Sequence, residues 1–259
     1  MRKFMIYCVT MVVCLSCLAG CGKAGGNNMG NQSENVMEEE NSKSAVGTSI
    51  FGVSNSNASE SEKKELEIID SGYFESSRIG ETTYLDAYAK VHNPNDAKMA
   101  EYPKLTVTVK SSDGTILATD YDTCSYIMPG DTVVMIESIG VSNYTDDCKI
   151  ELNVTTDYIN VTDSIRKENS LSSDFSFTNV SEISERYSKK ITGEIMNNFS
   201  SDVDNVTLTV SLLKDGKIVY VDTTYVHDLK IGQNTPFEYK YYSTDWPDHD
   251  SIELLAQQW

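Results

Sequence analysis

Four groups of residues in this chain have types and spacings that can do chemistry. The first is the thiol of Cys21, set behind Leu18-Ala19-Gly20 and a mainly apolar run from Phe4 to Leu18. The second is the pair Cys124 and Cys148; the other cysteines, Cys8, Cys14 and Cys17, precede Cys21. In a compartment that permits disulfides, closing the loop between this pair stabilises a fold by roughly 3.5 kcal/mol in the chain-entropy model. Two free thiols or a metal pair are the other readings, and the lack of nearby histidines speaks against zinc. The third group is Asp245, Asp248 and Asp250 around His249, whose oxygens could hold calcium. Asp120/Asp122 and Asp202/Asp204 are similar short pairs, and a chain with 39 acids produces such pairs readily, so no metal is expected. The fourth group is aromatic: Tyr84 and Tyr88 on the outward face of one predicted strand, with Trp246 near the C-terminus, form a possible ligand face. The competing reading is that these rings fill half-buried strand positions, which is their ordinary preference.

No acid–base or nucleophilic arrangement accompanies them. The three histidines, His92, His227 and His249, sit in no nucleophile or metal motif, and no Gly-x-Ser-x-Gly elbow, His-Glu-x-x-His, Walker or Rossmann pattern occurs. The expectation is a protein without catalytic residues or cofactor. With 21 Lys+Arg against 39 Asp+Glu and a net charge of −18, the surface repels nucleic acid and anionic head groups.

The N-terminus carries a resemblance. Arg2 and Lys3 form a short positive region, and the apolar run behind them is too short and wrongly flanked for a spanning helix. With Leu18-Ala19-Gly20-Cys21 it resembles the signal peptide and lipobox of bacterial lipoproteins; an uncleaved membrane anchor is the other reading. The resemblance implies removal of residues 1–20 and diacylglyceryl attachment to Cys21, a lasting membrane anchor at the extracytoplasmic face. Residues 21–64 follow, with Gly25-Gly26-Asn27-Asn28, Glu38-Glu39-Glu40 and Ser54-Asn55-Ser56-Asn57 and almost no apolar periodicity. Such a segment cannot offset its ordering entropy by burial, so a disordered tether is expected, with an end-to-end distance of about 35–40 Å.

From residue 65 the character changes to short runs rich in Val, Ile, Thr and Tyr between turn signals, the spacing of an all-β sandwich. The pattern occurs twice. Asp113-Gly114, Pro129-Gly130 and Ile150-Glu151-Leu152 recur, each 102 residues on, at Asp215-Gly216, Ile231-Gly232 and Ile252-Glu253-Leu254. Upstream the register slides to 104, setting Val91-His92-Asn93 against Ile195-Met196-Asn197. Within each copy apolar residues alternate at period two, as in Leu85, Ala87, Ala89 and Val91, or Leu208, Val210 and Leu212. About six strands per copy suit an immunoglobulin-like sandwich.

Two runs, Ala87 to Met135 and Ile191 to Phe237, resemble the FxLYD-type domain of bacterial surface lipoproteins. Gly193-Glu194-Ile195-Met196-Asn197 fits its Gly-x-Val-x-Asn strand, and Ala89-Lys90-Val91-His92-Asn93 fits it with Ala for Gly. The resemblance implies small β-sandwiches in an extracytoplasmic setting and brings no catalytic residues. The expected organisation is an all-β chain: signal peptide 1–20, lipidated cysteine and tether 21–64, sandwich domains 65–156 and 173–259, and between them a linker 157–172 that need not dock the domains rigidly. The expected role is a non-enzymatic surface module that binds or scaffolds protein or glycan; the alternative is a structural spacer with no ligand of its own.

Overall fold

The computed structural model describes residues 62–242 and 246–259. Cys21, the lipobox, the tether up to residue 61 and Asp245 lie outside them. The described chain is built almost wholly of antiparallel strands. In the first half these are β1 (Glu67–Ile79), β2 (Thr82–His92), β3 (Lys98–Lys110), β4 (Ile116–Thr123), β5 (Tyr126–Ile127), β6 (Thr132–Ser142) and β7 (Lys149–Asn160). A short helix α1 (Asp163–Glu168) and a 3-10 turn at Ser172–Asp174 lead to the second half. There β8 (Phe175–Ser184), β9 (Lys189–Asn197), β10 (Val203–Lys214), β11 (Lys217–Leu229), β12 (Asn234–Tyr241) and β13 (Ser251–Gln258) follow.

The strands make four sheets. One has the order β1-β2-β6, and the sheet facing it has β3 between β7 on one side and β4 with β5 on the other. The second half repeats the plan as β8-β9-β12 and β11-β10-β13. Each pair of sheets closes over its own core. Leu85, Ala87, Ala89 and Val91 meet Leu105, Val107 and Val109 in the first. Ile191 and Ile195 meet Val206, Leu208, Val210 and Leu212 in the second. These are the alternate residues that the period-two pattern selects, and their apolar burial is the main stabilising term. Where the copies diverge at a turn, backbone conformation shows why. Asp215 and Gly216 both have positive φ, 50° and 73°, as a two-residue hairpin with the right twist demands. In the first copy only Gly114 does, and Ser111 N–H reaches Thr115 O to close a longer loop.

One expectation is corrected by the strand register. Cys124 and Cys148 are free thiols, not a disulfide. Cys124 follows β4 where Thr123 pairs with Lys104, whereas Cys148 precedes β7 where Lys149 pairs with Lys110. The stretch of β3 from Lys104 to Lys110 holds them roughly 20 Å apart, against the ~4.4–6.8 Å between Cα atoms that a disulfide spans. Residues 157–172, the expected linker, carry structure of their own. Strand β7 continues to Asn160, and α1 is capped by Thr162 Oγ1 accepting from Ile165 N–H. The 3-10 turn is held by Asp131, which accepts from the backbone N–H of Ser172 at 2.9 Å and also from its hydroxyl.

Candidate binding groove between the sheet pairs

The two sheet pairs meet along a third apolar cluster. Tyr88 and Val134, outward-facing on β2 and β6, are buried against Val221 of β11, with Phe74, Ile136, Ile218 and Leu255 around them. Phe74 stacks between Tyr88 and Tyr220, at centroid distances of 6.0 and 5.7 Å. Gly72 makes this possible: a Cβ there would lie 2.8 Å from the Tyr88 ring. On one flank Lys90 Nζ reaches Glu253 Oε1 at 2.6 Å. On the other, Gln257 Nε2 donates to Tyr126 O at 2.6 Å, and Tyr126 Oη donates to Ser170 O at 3.1 Å. Burial pushes the Tyr126 phenol up to about 12, so that hydrogen atom stays in place across the physiological range.

Beside this contact the sheet pairs leave a groove. Its first part, a depression of about 370 Å3, is lined by Thr207, Thr209, Thr223, Gln257 and Asp122, by the apolar Val134, Met135 and Ile136, and by the rings of Tyr225 and Trp259. Burial raises the Asp122 carboxyl above the usual carboxylate range, and burial also pushes the neighbouring Cys124 thiol up to about 12. A thiol held so firmly protonated is a poor nucleophile. A second depression of about 350 Å3 shares Ser125 and Trp259 with the first and runs on to Glu101 and Tyr102. Tyr225, Trp259 and Tyr102 expose 58 %, 63 % and 69 % of their surface. Tyr225 and Trp259 sit 6.2 Å apart at 60°.

The backbone takes trouble over Tyr102. Its φ is 46°, a left-handed conformation that a bulky side chain rarely adopts. The cause is a bulge in β3: Glu101 pairs with Asp157 and Lys104 with Thr155, so Tyr102 and Pro103 together stand opposite Thr156. Pro103 turns inward and is buried, while the Tyr102 ring is thrown out into solvent.

The residues singled out from sequence do not assemble into one site. Tyr88 is 4 % exposed, so the expected open patch with Tyr84 is corrected: the face is outward on its own sheet, but the second sheet pair covers it. Tyr84 remains at the surface beside Gly140. Trp246 packs on the second core against Tyr239 and Tyr241 and stacks on His249 at 6.0 Å. Asp248 pairs with Lys214 at 3.1 Å, and Asp250 accepts from Asp215 N–H at 2.9 Å, so both acids brace a hairpin. Among the described residues no group of three or more His, Cys, Asp and Glu is placed to hold a metal. His92 Nδ1 meets Asp131 O and Thr132 Oγ1, His227 Nδ1 meets Asn205 Oδ1, and His249 Nε2 meets Glu182.

Sequence reasoning missed Tyr102 and Tyr225. The signal at Tyr102 was available in the Tyr-Pro step inside an otherwise alternating strand, since proline within a strand implies an edge or a bulge. Tyr225 carried no local signal, because its exposure depends on how the second sheet pair is docked. No protein-family model and no curated protein matches this chain.

Proposed function

We propose that this protein is a lipid-anchored, extracytoplasmic binding module without catalytic activity, made of two duplicated immunoglobulin-like sandwiches of the FxLYD type. The anchor reading is supported by the positive n-region, the apolar run and the small residues before Cys21. The binding reading is carried by one observation: two sheet pairs, joined by an apolar and hydrogen-bonded contact, leave a groove edged by exposed rings. A locked joint holds both walls of such a groove at fixed spacing, which lowers the ordering cost of binding.

Two measurements test it. Cys21→Ser moves the protein from the membrane fraction to an unlipidated soluble form; membrane retention of that variant contradicts the anchor. Binding to isolated cell-envelope fractions is expected to fall when Trp259 or Tyr225 is replaced by Ala, with thermal stability unchanged. The spacer reading draws on the same joint, which fixes the relative direction of the two sheet pairs, and it is favoured if no envelope fraction is retained at all.

A further inference from the structure

We propose that the groove takes an extended, neutral oligosaccharide, with Tyr225, Trp259 and Tyr102 as stacking rings along its length; this rests on the binding-module reading above. A sugar ring presents an apolar C–H face and a rim of hydroxyls. The groove offers a partner for each. Three exposed rings follow one another along two depressions that share Ser125 and Trp259. An exposed aromatic ring is a large, stiff apolar plate that loses little side-chain entropy on contact.

Between the rings the first depression sets hydroxyls and an amide beside the apolar Val134, Met135 and Ile136, and the second sets Asn169 and Gln258 beside Met99, Ile159 and Ile165. Thr207, Thr209, Thr223 and Gln257 can each donate and accept, which suits vicinal hydroxyls, and Asp122 adds one strong acceptor. No lysine or arginine lines the first two depressions, so a phosphorylated ligand finds no counter-charge there. In the first depression a lipid chain would desolvate the threonine hydroxyls and the Gln257 amide without replacing their hydrogen bonds.

The Tyr102 backbone is the second, independent observation. A left-handed tyrosine costs a stable fold, and glycine at that position would not. Strain of this kind persists where the displaced side chain is used, and what it achieves here is to stand a ring at the far end of the groove.

The test is titration of the full mature chain with a panel of neutral hexasaccharides (cello-, xylo-, malto- and chitohexaose), read by indole fluorescence and calorimetry. At least one is expected to bind, and Trp259→Ala and Tyr225→Ala are each expected to weaken it about tenfold with the melting temperature unchanged. Tyr102→Gly is the sharper variant: it relieves the backbone while removing the ring, so binding falls and the melting temperature holds or rises. Tyr84→Ala, away from the groove, leaves binding unaltered. Failure of every hexasaccharide at millimolar concentration overturns the saccharide assignment, as does binding that is indifferent to Tyr102 and Trp259. If the groove variants nonetheless abolish retention by an envelope protein, only the ligand class is wrong; if they alter no envelope interaction, the binding-module reading fails with it.

Discussion

Asn93 and Asn197 hold the same post in the two halves and make three matching side-chain hydrogen bonds, to which Asn93 Oδ1 adds one from Asn95 Nδ2. Asn93 Nδ2 donates to Lys98 O and Ile127 O, and its Oδ1 accepts from Asn95 N–H. Asn197 Nδ2 donates to Ser201 O and Leu229 O, and its Oδ1 accepts from Phe199 N–H. Even the backbone agrees: Gly130 N–H reaches Asn93 O at 2.9 Å, and Gly232 N–H reaches Asn197 O at 2.8 Å. Both side chains are fully buried. Each sews the end of a central strand to the loop that follows and to the strand crossing beneath it.

Removing either amide strands two carbonyls and one backbone N–H away from water, and at Asn93 the Asn95 amide loses a partner too. At about 1 kcal/mol per bond, with a further desolvation penalty for each orphaned group, Asn93→Ala and Asn197→Ala should each cost about 3 kcal/mol or more. Chemical denaturation measures it. Asn93→Asp should be worse than Asn93→Ala, because a carboxylate cannot donate to Lys98 O and Ile127 O. An Asp variant as stable as wild type would mean that the bonds contribute little.

The period-two alternation was enough to find most of the central strands, because their inward residues meet a core on one face only. Turns and core positions recur at fixed offsets in the sequence, and the two halves of the described chain have corresponding strand orders. The outer strand β1 was not found, since as an exposed edge it carries Asp70, Ser71, Gly72, Glu75 and Ser76 and buries almost nothing. The joint was illegible for a different reason. Phe74, Tyr88 and Val221 occupy positions that are outward in their own sheets, and only the docking of the two sheet pairs turns them inward. The cysteine pair misled because separation along the chain says nothing of which end of β3 each residue occupies.

That joint should make the two sheet pairs unfold together. Phe74→Ala removes the ring lying between Tyr88 and Tyr220, a loss of roughly 3 kcal/mol if the site were fully enclosed and less at this half-buried position. Neither core is touched directly, since Phe74 belongs to the bridging cluster. Scanning calorimetry is expected to show one transition in wild type and two in the variant. A single transition displaced to lower temperature would show instead that the pairs are coupled through α1 and the 3-10 turn.

Free thiols make a plain chemical prediction. Reducing agent should leave the melting temperature unchanged, since no cross-link is lost. Alkylation followed by peptide mapping should label both Cys124 and Cys148 quickly in denaturant and slowly in the native state. Burial pushes the Cys124 thiol up to about 12, which slows its alkylation in the native state. Recovery of a peptide linking the two residues under non-reducing conditions would contradict the register of β3.

One pair of equivalent positions sets up a pH dependence. Asp222 on β11 accepts from Tyr239 Oη at 2.8 Å, and Tyr220 Oη also reaches both groups. In the first copy Asp120 stands where Asp222 does, opposite Val107 as Asp222 is opposite Val210, and Glu137 stands where Tyr239 does. The phenol that could donate is replaced by a second acid. Burial, with the charges of Asp120 and Asp122 nearby, raises Glu137 from 4.5 to about 7. A raised carboxyl means that the folded state holds its proton more tightly than the unfolded chain. Below about pH 4.5 both states are protonated and nothing is lost. Between there and pH 7 the unfolded chain sheds its proton first, so the stability contributed by this group falls as pH rises and levels off above 7. Glu137→Gln keeps the shape and removes the charge. Its melting temperature should exceed that of wild type at pH 8, with the difference shrinking to nothing by pH 4. Asp120→Asn should shift the midpoint of that difference to lower pH, because one of the repelling charges is gone. A gap between Glu137→Gln and wild type that stayed constant from pH 4 to 8 would show that Glu137 does not titrate in this range.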